Sequence, residues 1–159
     1  MGTEIERKFL VDRTAWHPDP ANGTRYRQGY LASEPGSTVR VRIAGELGFL
    51  TIKGATQGIV RLEFEYPIPL ADAEELLGDL CRHPLIEKIR YREPWDGLTW
   101  EVDVFAGDNT GLTVAEIELP TAEWRFTKPP WVGQEVSGDP RYFNSALSRH
   151  PFSQWNEPE

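Results

Sequence analysis

Residues 4–11 read EIERKFLV, in which apolar Ile5, Phe9 and Val11 alternate with Glu4, Glu6, Lys8 and Leu10 as in a β-strand. One face carries Ile5 and Phe9, and the other carries three charged residues at successive positions: Glu4, Glu6 and Lys8. Like charges two residues apart on one face of a strand are about 7 Å apart and repel each other. Such a face therefore needs compensation, either from opposite charges on neighbouring strands or from a ligand.

Seven further stretches have the composition or alternation of strands: 25–32, 38–44, 49–54, 60–68, 87–93, 98–106 and 112–120. Stretch 60–68, VRLEFEYPI, alternates most cleanly, with apolar side chains at positions 60, 62, 64 and 66 and charged ones between them. Residues 70–83 change to the spacing of one amphipathic helix that ends before Pro84. Residues 138–150 form a second helical stretch with Asp139 as its N-cap. We therefore expect a mainly β (α+β) protein whose eight antiparallel strands close on themselves, with a few flanking helices.

Length and composition exclude several classes of protein. With 159 residues the chain is the size of one domain, residues 1–159, in which we expect only the tail, 153–159, to be frayed. The net charge of −8 argues against non-specific binding to nucleic acid. Cys81 is the single cysteine, which excludes an internal disulfide, and there is no apolar run of about 18 residues. We expect a protein of the reducing cytoplasm without a membrane partner.

Nearly every predicted strand carries like charges at alternate positions. The pairs are Arg40 with Arg42, Glu63 with Glu65, Lys88 with Arg90, Glu101 with Asp103, and Glu116 with Glu118. For any one strand, a face turned to solvent is a sufficient explanation. For all of them together, a shared interior in which basic strands face acidic strands explains the sorting by sign better. Because burying unpaired ions is costly, that interior must be hydrated and occupied by a ligand.

The residue types in this interior indicate phosphoryl chemistry. The carboxylate pairs Glu4/Glu6 and Glu116/Glu118 offer oxygen ligands without His or Cys, which suits Mg²⁺ or Mn²⁺ rather than zinc. Arginine and lysine side chains suit the oxygens of a polyphosphate. A metal and a phosphate in one cavity point to phosphoryl transfer, in which positioning and charge neutralisation supply most of the rate.

The ordered set of charged strands resembles the CYTH superfamily, the triphosphate tunnel metalloenzymes, in its short bacterial form. EIERKFLV is similar to the E-x-E-x-K opening of that family, and the later stretches follow in the family's order: TVRVRI, TIKG, RLEFEYPI, KIRYR, WEVDVF, AEIEL and VGQEVSGDPRYFNSAL. The resemblance spans residues 4–147. The opening motif alone is weak, whereas the ordered set is specific. It implies an eight-stranded antiparallel β-barrel tunnel that binds a triphosphate and hydrolyses it with a divalent metal.

The resemblance also implies roles by position. Six basic residues would hold the phosphates: Lys8, Arg40, Arg42, Lys53, Lys88 and Arg90. Four acidic residues would hold one or two Mg²⁺ or Mn²⁺ ions and order the attacking water: Glu4, Glu6, Glu116 and Glu118. Four more acids would line the rest of the tunnel: Glu63, Glu65, Glu101 and Asp103. In the family a Tyr–Lys pair is linked with triphosphatase activity, so we assign catalysis to Lys88, Tyr30 and Glu4.

The sequence leaves the role of Tyr30 open, and the tunnel interpretation makes a further prediction about the cavity. Strand 25–32 shows no clear facing, so Tyr30 could instead be an aromatic that packs the barrel. The tunnel interpretation also predicts that the charged residues converge on one through-going, water-filled cavity. The apolar strand faces should then lie outside and pack against the helices, as we expect for Val39, Val41, Leu62 and Phe64.

Three functions compete at this point. The first is metal-dependent hydrolysis of a triphosphate, with inorganic tripolyphosphate favoured because we find no element that would recognise a base. The second is a class IV adenylate cyclase, or a thiamine or nucleoside triphosphatase; such cyclases resemble H-F-x-x-x-x-E-x-E-x-K, whereas only three residues precede Glu4 here. The third is a non-catalytic polyphosphate-binding module, which would gain nothing from acids beside its bases. The expected partner is a small-molecule triphosphate, and the expected state is a monomer or homodimer.

Overall fold

The structure is a computed structural model that describes residues 2–34 and 36–155. Strands dominate these residues: β1 Thr3–Val11, β2 Gly23–Glu34, β3 Ser37–Ala44, β4 Leu47–Gly54, β5 Val60–Ile68, β6 Ile86–Trp95, β7 Leu98–Phe105, β8 Thr113–Glu118 and β9 Val132–Glu135. Two short helices accompany them, α1 Leu70–Glu75 and α2 Asn144–Leu147. The eight predicted strands are therefore confirmed, and β9 is an addition that the sequence pattern did not reveal.

The strands form one antiparallel sheet that closes into a ring. Its order is β5-β4-β3-β2-β6-β7-β8-β1, and β1 pairs with β5 as well, which joins the two ends into a ring of eight strands. β1 is the closing strand, because one of its edges pairs with β8 over Glu6–Leu10 while the other pairs first with β5 and then with β9. The closed antiparallel architecture expected from the alternating strands is thus confirmed.

Apolar side chains on the outer surface of the ring form the core. The largest cluster is aromatic and lies under the loops before β2 and before β9, with Trp100 at its centre. The rings of Phe9 and Trp131 meet Trp100 edge to face, with centroids 5.5 and 5.8 Å away. Such pairs add to the free energy gained from burying their area. The packed core is therefore outside the ring, and the inside is left to polar side chains.

The helix α1 covers β3 and β4, where Val41 packs against Ala73 and Leu77. This agrees with the expectation for Val41, and Val39 is half-buried. The expectation that helices pack on Leu62 and Phe64 is wrong, since these side chains face outward but stay 56% and 44% exposed. The reason is that the chain turns back at the end of β5, so that α1 lies on β3 and β4 instead.

Both predicted helices are shorter than expected. The first leaves α geometry after Glu75 and continues as a π-helical turn, Leu76–Leu80. The second is split into a 3₁₀ turn, Pro140–Tyr142, and α2, because Phe143 between them is extended. Asp139 does cap the 3₁₀ turn, where its carboxylate accepts a hydrogen bond from the backbone N–H of Arg141 at 3.1 Å.

The tail is partly ordered. Residues Phe152–Gln154 form a 3₁₀ turn, and the ring of Trp155 packs edge to face on Tyr142 with centroids 5.0 Å apart. The expectation of a frayed tail is therefore wrong for residues 153–155, which this aromatic contact holds in place, while residues 156–159 lie outside the described residues. No helix within residues 2–34 and 36–155 is long and apolar enough to span a membrane.

Candidate functional site

The inward faces of the strands surround one cavity of about 510 Å³. Alternation along each strand places every second side chain inside, which is how β1 presents its charged face to the cavity. The predicted site residues that line the cavity are Glu4, Glu6, Lys8, Tyr30, Arg40, Arg42, Lys53, Glu63, Glu65, Lys88, Arg90, Glu101, Glu116 and Glu118. The facing of β2, open in the sequence, is thereby determined, because Tyr30 points inward. Asp103 alone among the predicted site residues does not line the cavity.

Four of the six predicted cations lie on β3 and β6, the two strands that flank β2: Arg40, Arg42, Lys88 and Arg90. Arg40, Lys88 and Arg90 are only 5%, 1% and 7% exposed. The ring of Tyr26 on β2 lies between two guanidinium groups, with its centroid 5.0 Å from Cζ of Arg42 and 4.9 Å from Cζ of Arg90. Sequence reasoning missed Tyr26 because β2 lacks a clean period, and its register against β6, where it faces Lys88, was needed to place it.

Asp103 supports two of these cations from behind the cavity wall, which corrects its expected role as a lining residue. Its carboxylate accepts from Nε and Nη2 of Arg90 at 2.7 and 2.8 Å and from Nζ of Lys88 at 2.8 Å. These partners cover it, so that its side chain is only 1% exposed. Burial alone would raise the pKa of Asp103, but the charges of Arg90 and Lys88 hold it below its ordinary value. Asp103 therefore stays ionised and fixes the direction of both cations.

Lys88 has an unusual proton affinity for a lysine. Burial lowers the pKa of its ammonium group to about 7, against the attraction of Asp103 and with further repulsion from Arg90 and Arg42. Near neutral pH, both the protonated and the neutral form of Lys88 are accessible. A group with such a pKa inside a cavity is a candidate for proton transfer.

The segment that follows β9 closes one side of the cavity, which sequence reasoning missed. Ser137, Phe143 and Asn144 line the cavity, and Nζ of Lys8 donates to the backbone carbonyl of Tyr142 at 3.1 Å. Asn144 Oδ1 accepts from Nζ of Lys88 at 3.1 Å. The available signal was a polar asparagine within the apolar stripe of the predicted second helix, in the stretch RYFNSAL.

The acidic residues gather where β1 meets β5 and β8. Nζ of Lys53 lies 3.1 Å from the carboxylates of both Glu4 and Glu63, and Glu6 is paired in register with Glu118. Burial, together with a hydrogen bond to Glu63, raises the pKa of Glu4 to about 7. Burial and the charges of Glu116 and Glu4 raise the pKa of Glu6 well above its ordinary value. This side of the cavity thus has too few cations for its carboxylates.

Glu116 is the exception on this side. Its carboxylate lies 3.5 Å from Nζ of Lys8 and 3.6 Å from Nη2 of Arg90. Burial would raise its pKa, but these charges hold the pKa well below its ordinary value. Glu116 is therefore a permanent carboxylate at the boundary between the basic and the acidic sides of the cavity.

No three His, Cys, Asp or Glu side chains in the described part of the chain lie close enough together to hold a metal ion by themselves. The four predicted metal ligands, Glu4, Glu6, Glu116 and Glu118, do line the same cavity. Mg²⁺ is commonly bound by one or two carboxylates together with water and substrate phosphates. The donor set therefore fits a metal that is shared with a phosphate ligand better than one enclosed by protein alone.

Comparison with known proteins agrees with this geometry. A model of the family described as the CYTH domain matches residues 2–143. The chain belongs to the CYTH family. An inorganic triphosphatase of Acetivibrio thermocellus is 50% identical over 157 residues, which cover 99% of this chain and 100% of that protein. An inorganic triphosphatase of Nitrosomonas europaea is 40% identical over 151 residues, 92% of this chain and 97% of that protein.

A solved structure of the inorganic triphosphatase NE1496 shares the CYTH architecture. It superimposes with a TM-score of 0.64 at 38% identity, over 91% of this chain and 97% of that chain. The family that the charged strands of the sequence resemble is therefore confirmed, and so is the ring of eight strands as a CYTH fold.

Proposed function

We propose that this CYTH protein hydrolyses triphosphates and that inorganic tripolyphosphate is its preferred substrate. The observation that carries the proposal is the convergence of six cations on one cavity: Lys8, Arg40, Arg42, Lys53, Lys88 and Arg90. Arg40, Lys88 and Arg90 are buried, and a ligand with several negative charges would supply partners for the donors of these cations that face the cavity. The relatives named inorganic triphosphatase support the same reaction.

Arg40 shows one place where such a ligand is needed. Its Nη2 donates to Oγ1 of Thr51 at 3.2 Å, but its Nε is buried and has no hydrogen-bond partner among the described residues. A buried donor without a partner costs about 1–3 kcal/mol. A phosphate oxygen would satisfy it, and the planar guanidinium group suits that contact.

We assign the metal to Glu4, Glu6, Glu116 and Glu118, with Mg²⁺ or Mn²⁺ as the ion. Their oxygen donors suit these ions, and a cation would stabilise the ionised forms of Glu4 and Glu6, which burial and the neighbouring carboxylates disfavour. When bound, the metal would neutralise phosphate oxygens and make a coordinated water more acidic. Beside the metal, the carboxylate of Glu4 would help to order the attacking water by accepting a hydrogen bond from it.

The basic residues bind and orient the phosphate chain. Arg42 and Arg90 stand on either side of Tyr26, so they can contact phosphate oxygens at two separate points. Lys88 can hold or release a proton at Nζ because its pKa is about 7. Tyr30 is buried and lines the cavity, but the aromatic rings close to Nζ of Lys88 are those of Phe105 and Tyr26, with centroids 5.5 and 5.9 Å away. The assignment of Tyr30 as the partner of Lys88 stays a prediction.

The wall of the cavity also bears on the choice of substrate. Besides charged side chains it contains Leu47 and Phe49, near the turn between β3 and β4. An apolar surface can contact a base, but it offers no directed hydrogen bonds with which to tell adenine from guanine. We also propose that residues 1–159 act as one domain, as a monomer or homodimer, on a small-molecule triphosphate in the cytoplasm.

A substrate panel tests the proposed function. Tripolyphosphate, ATP, GTP and thiamine triphosphate are each assayed with Mg²⁺ and with Mn²⁺, and both phosphate and cyclic nucleotide are measured. We expect a higher kcat/KM for tripolyphosphate than for ATP, rates with ATP and GTP within about tenfold of each other, and no cyclic AMP. Cyclic AMP as the main product would favour the adenylate cyclase, and binding without phosphate release would favour the non-catalytic module.

A further inference from the structure

We propose that Asn144 is a positioning residue that orients Lys88, and through Gln28 also Arg42, toward the phosphate chain. This role rests on the proposed triphosphatase function. Asn144 is the first residue of α2, on the segment that closes the cavity. Its side-chain oxygen accepts two hydrogen bonds, from Nζ of Lys88 at 3.1 Å and from Nε2 of Gln28 at 3.1 Å.

The hydrogen bonds of Lys88 leave one donor for a ligand. A protonated lysine has three N–H donors. Asp103 accepts one of them at 2.8 Å and Asn144 accepts another at 3.1 Å. With two donors directed at fixed acceptors, the third has a defined direction, and Lys88 lines the cavity. Without Asn144 the ammonium group could rotate about its contact with Asp103.

Gln28 extends the same control to Arg42. Gln28 is fully buried, and both ends of its amide are used: Oε1 accepts from Nε of Arg42 at 3.0 Å, while Nε2 donates to Asn144. Because Nε of Arg42 is engaged in this way, its terminal nitrogens are the atoms that can meet a phosphate. Asn144 is therefore the end of a hydrogen-bonded chain that runs from Arg42 through Gln28. It also holds Lys88 directly.

An uncharged acceptor is suited to this position. The charged and titratable groups that face Lys88 come from five strands: Asp103 on β7, Arg90 on β6, Arg42 on β3, Glu116 on β8 and Tyr26 on β2. An amide oxygen orients the ammonium group while adding no further charge to this set. A carboxylate at position 144 would orient the ammonium group but would also add a negative charge. A leucine would add no charge but could not orient the ammonium group.

The segment has other anchors, so that Asn144 is not needed merely to hold it in place. The N–H of Val136 donates to the carbonyl of Lys8 at 2.8 Å, and the ring of Trp155 packs on Tyr142. Asn109, which is buried, accepts from the backbone N–H of Phe152 at 2.8 Å. Asn109 anchors the end of the chain without touching Lys88 or Gln28, which makes it a matched control.

The test compares Asn144→Leu, Asn144→Asp and the control Asn109→Ala. We expect Asn144→Leu to lower kcat for tripolyphosphate by about ten- to a hundredfold, since misplacement of a catalytic group has effects of this size. The ¹³Cε resonance of Lys88 is titrated in parallel in each protein. Loss of the acceptor should move the pKa of Lys88 down, and the new charge of Asn144→Asp should move it up. The limb of the pH–rate profile that depends on Lys88 should also move to lower pH in Asn144→Leu and to higher pH in Asn144→Asp.

Each outcome is decisive. If Asn144→Leu keeps the rate and the Lys88 titration of the Asn109→Ala control, the positioning role is overturned. If the wild-type chain releases no phosphate from any triphosphate, the proposed function fails, while opposite shifts of the Lys88 titration would still support the positioning of Lys88. If Asn144→Leu does not fold, Asn144→Asp, which has nearly the same shape, decides, and an unmoved Lys88 titration in that variant counts against the proposal.

Discussion

Lys88 and Arg90 share one buried carboxylate, and this sharing determines what each of the three residues contributes. Asp103 binds both cations with distances of 2.7–2.8 Å and is itself withdrawn from the cavity. The cations face the cavity, so their supporting carboxylate lies on the side away from it. The site therefore has two kinds of residue: Lys88 and Arg90, which would contact the substrate, and Asp103, which fixes the orientation of both cations.

Removal of the shared carboxylate tests this separation. Asp103→Asn would leave two buried cations without their counter-charge, and we expect it to lower the free energy of unfolding by about 3–5 kcal/mol. Because the pKa of Asp103 is lowered in the folded protein, its contribution is present above the unfolded pKa of about 3.9 and is lost as the pH falls. Urea unfolding at pH 7 measures the loss.

The control for this variant is an exposed ion pair. Arg25 and Glu87 lie 3.3 Å apart on the outer surface of the ring. Glu87→Gln should change the free energy of unfolding little, since exposed pairs contribute little to stability. Equal losses in Asp103→Asn and Glu87→Gln would contradict the role given to Asp103.

Replacement of Glu116 and replacement of Arg40 should have different effects on turnover and on substrate affinity. Glu116→Gln, like Glu4→Gln, should abolish turnover of tripolyphosphate while its affinity stays within about tenfold, because it removes a metal ligand needed mainly in the transition state. Arg40→Ala should weaken binding as well as turnover, because in the proposed site its guanidinium group would contact the substrate already in the ground state. Isothermal titration gives the affinities and phosphate release the rates. Wild-type rates for Glu116→Gln at saturating metal would show that the metal site is wrongly assigned.

Among the elements, β1 carries two carboxyl groups, Glu4 and Glu6, whose ionised forms are disfavoured in the folded protein. The side chain of Glu4 contacts that of Glu63 on β5, Glu6 is in register with Glu118 on β8, and burial and these neighbours leave Glu4 and Glu6 with raised pKa values. A raised pKa means that the folded state binds the proton more tightly than the unfolded state does. The contribution of such a group is present below its unfolded pKa and is lost as the pH rises through the folded pKa.

This sign gives a prediction for the stability of the metal-free protein. Between pH 4.5 and about 7, the range over which the pKa of Glu4 is shifted, the free energy of unfolding should fall by an amount on the order of 2 kcal/mol. Mg²⁺ or Mn²⁺ should restore more stability at pH 7.5 than at pH 5, since the metal replaces the proton. Urea unfolding in EDTA and in each metal measures this. Glu4→Gln should flatten the dependence, and an unchanged slope in that variant would assign the effect to other groups.

The whole molecule shows which properties a single sequence could predict. The eight strands and the sorting of their charges follow from period-two alternation, so the ring and most of the charged residues that line the cavity could be placed. Tyr26, Gln28 and Asn144 could not, because their roles depend on strand register and on how the end of the chain folds back. The π-helical turn and the withdrawn position of Asp103 likewise depend on tertiary contacts that alternation does not encode.

β1 precedes the other strands in the chain, yet some of its contacts are with residues that follow all of them or belong to β9. Arg7 meets Glu135, 128 residues later in the chain, and Lys8 meets the carbonyl of Tyr142, 134 residues later. Contacts so distant in sequence slow folding, because a long loop must close before they form. Until then β1 has free edges, and its face of Glu4, Glu6 and Lys8 is one that resists pairing with other nascent chains. We therefore expect the charges that line the finished cavity also to protect β1 from aggregation before the later strands have paired with it.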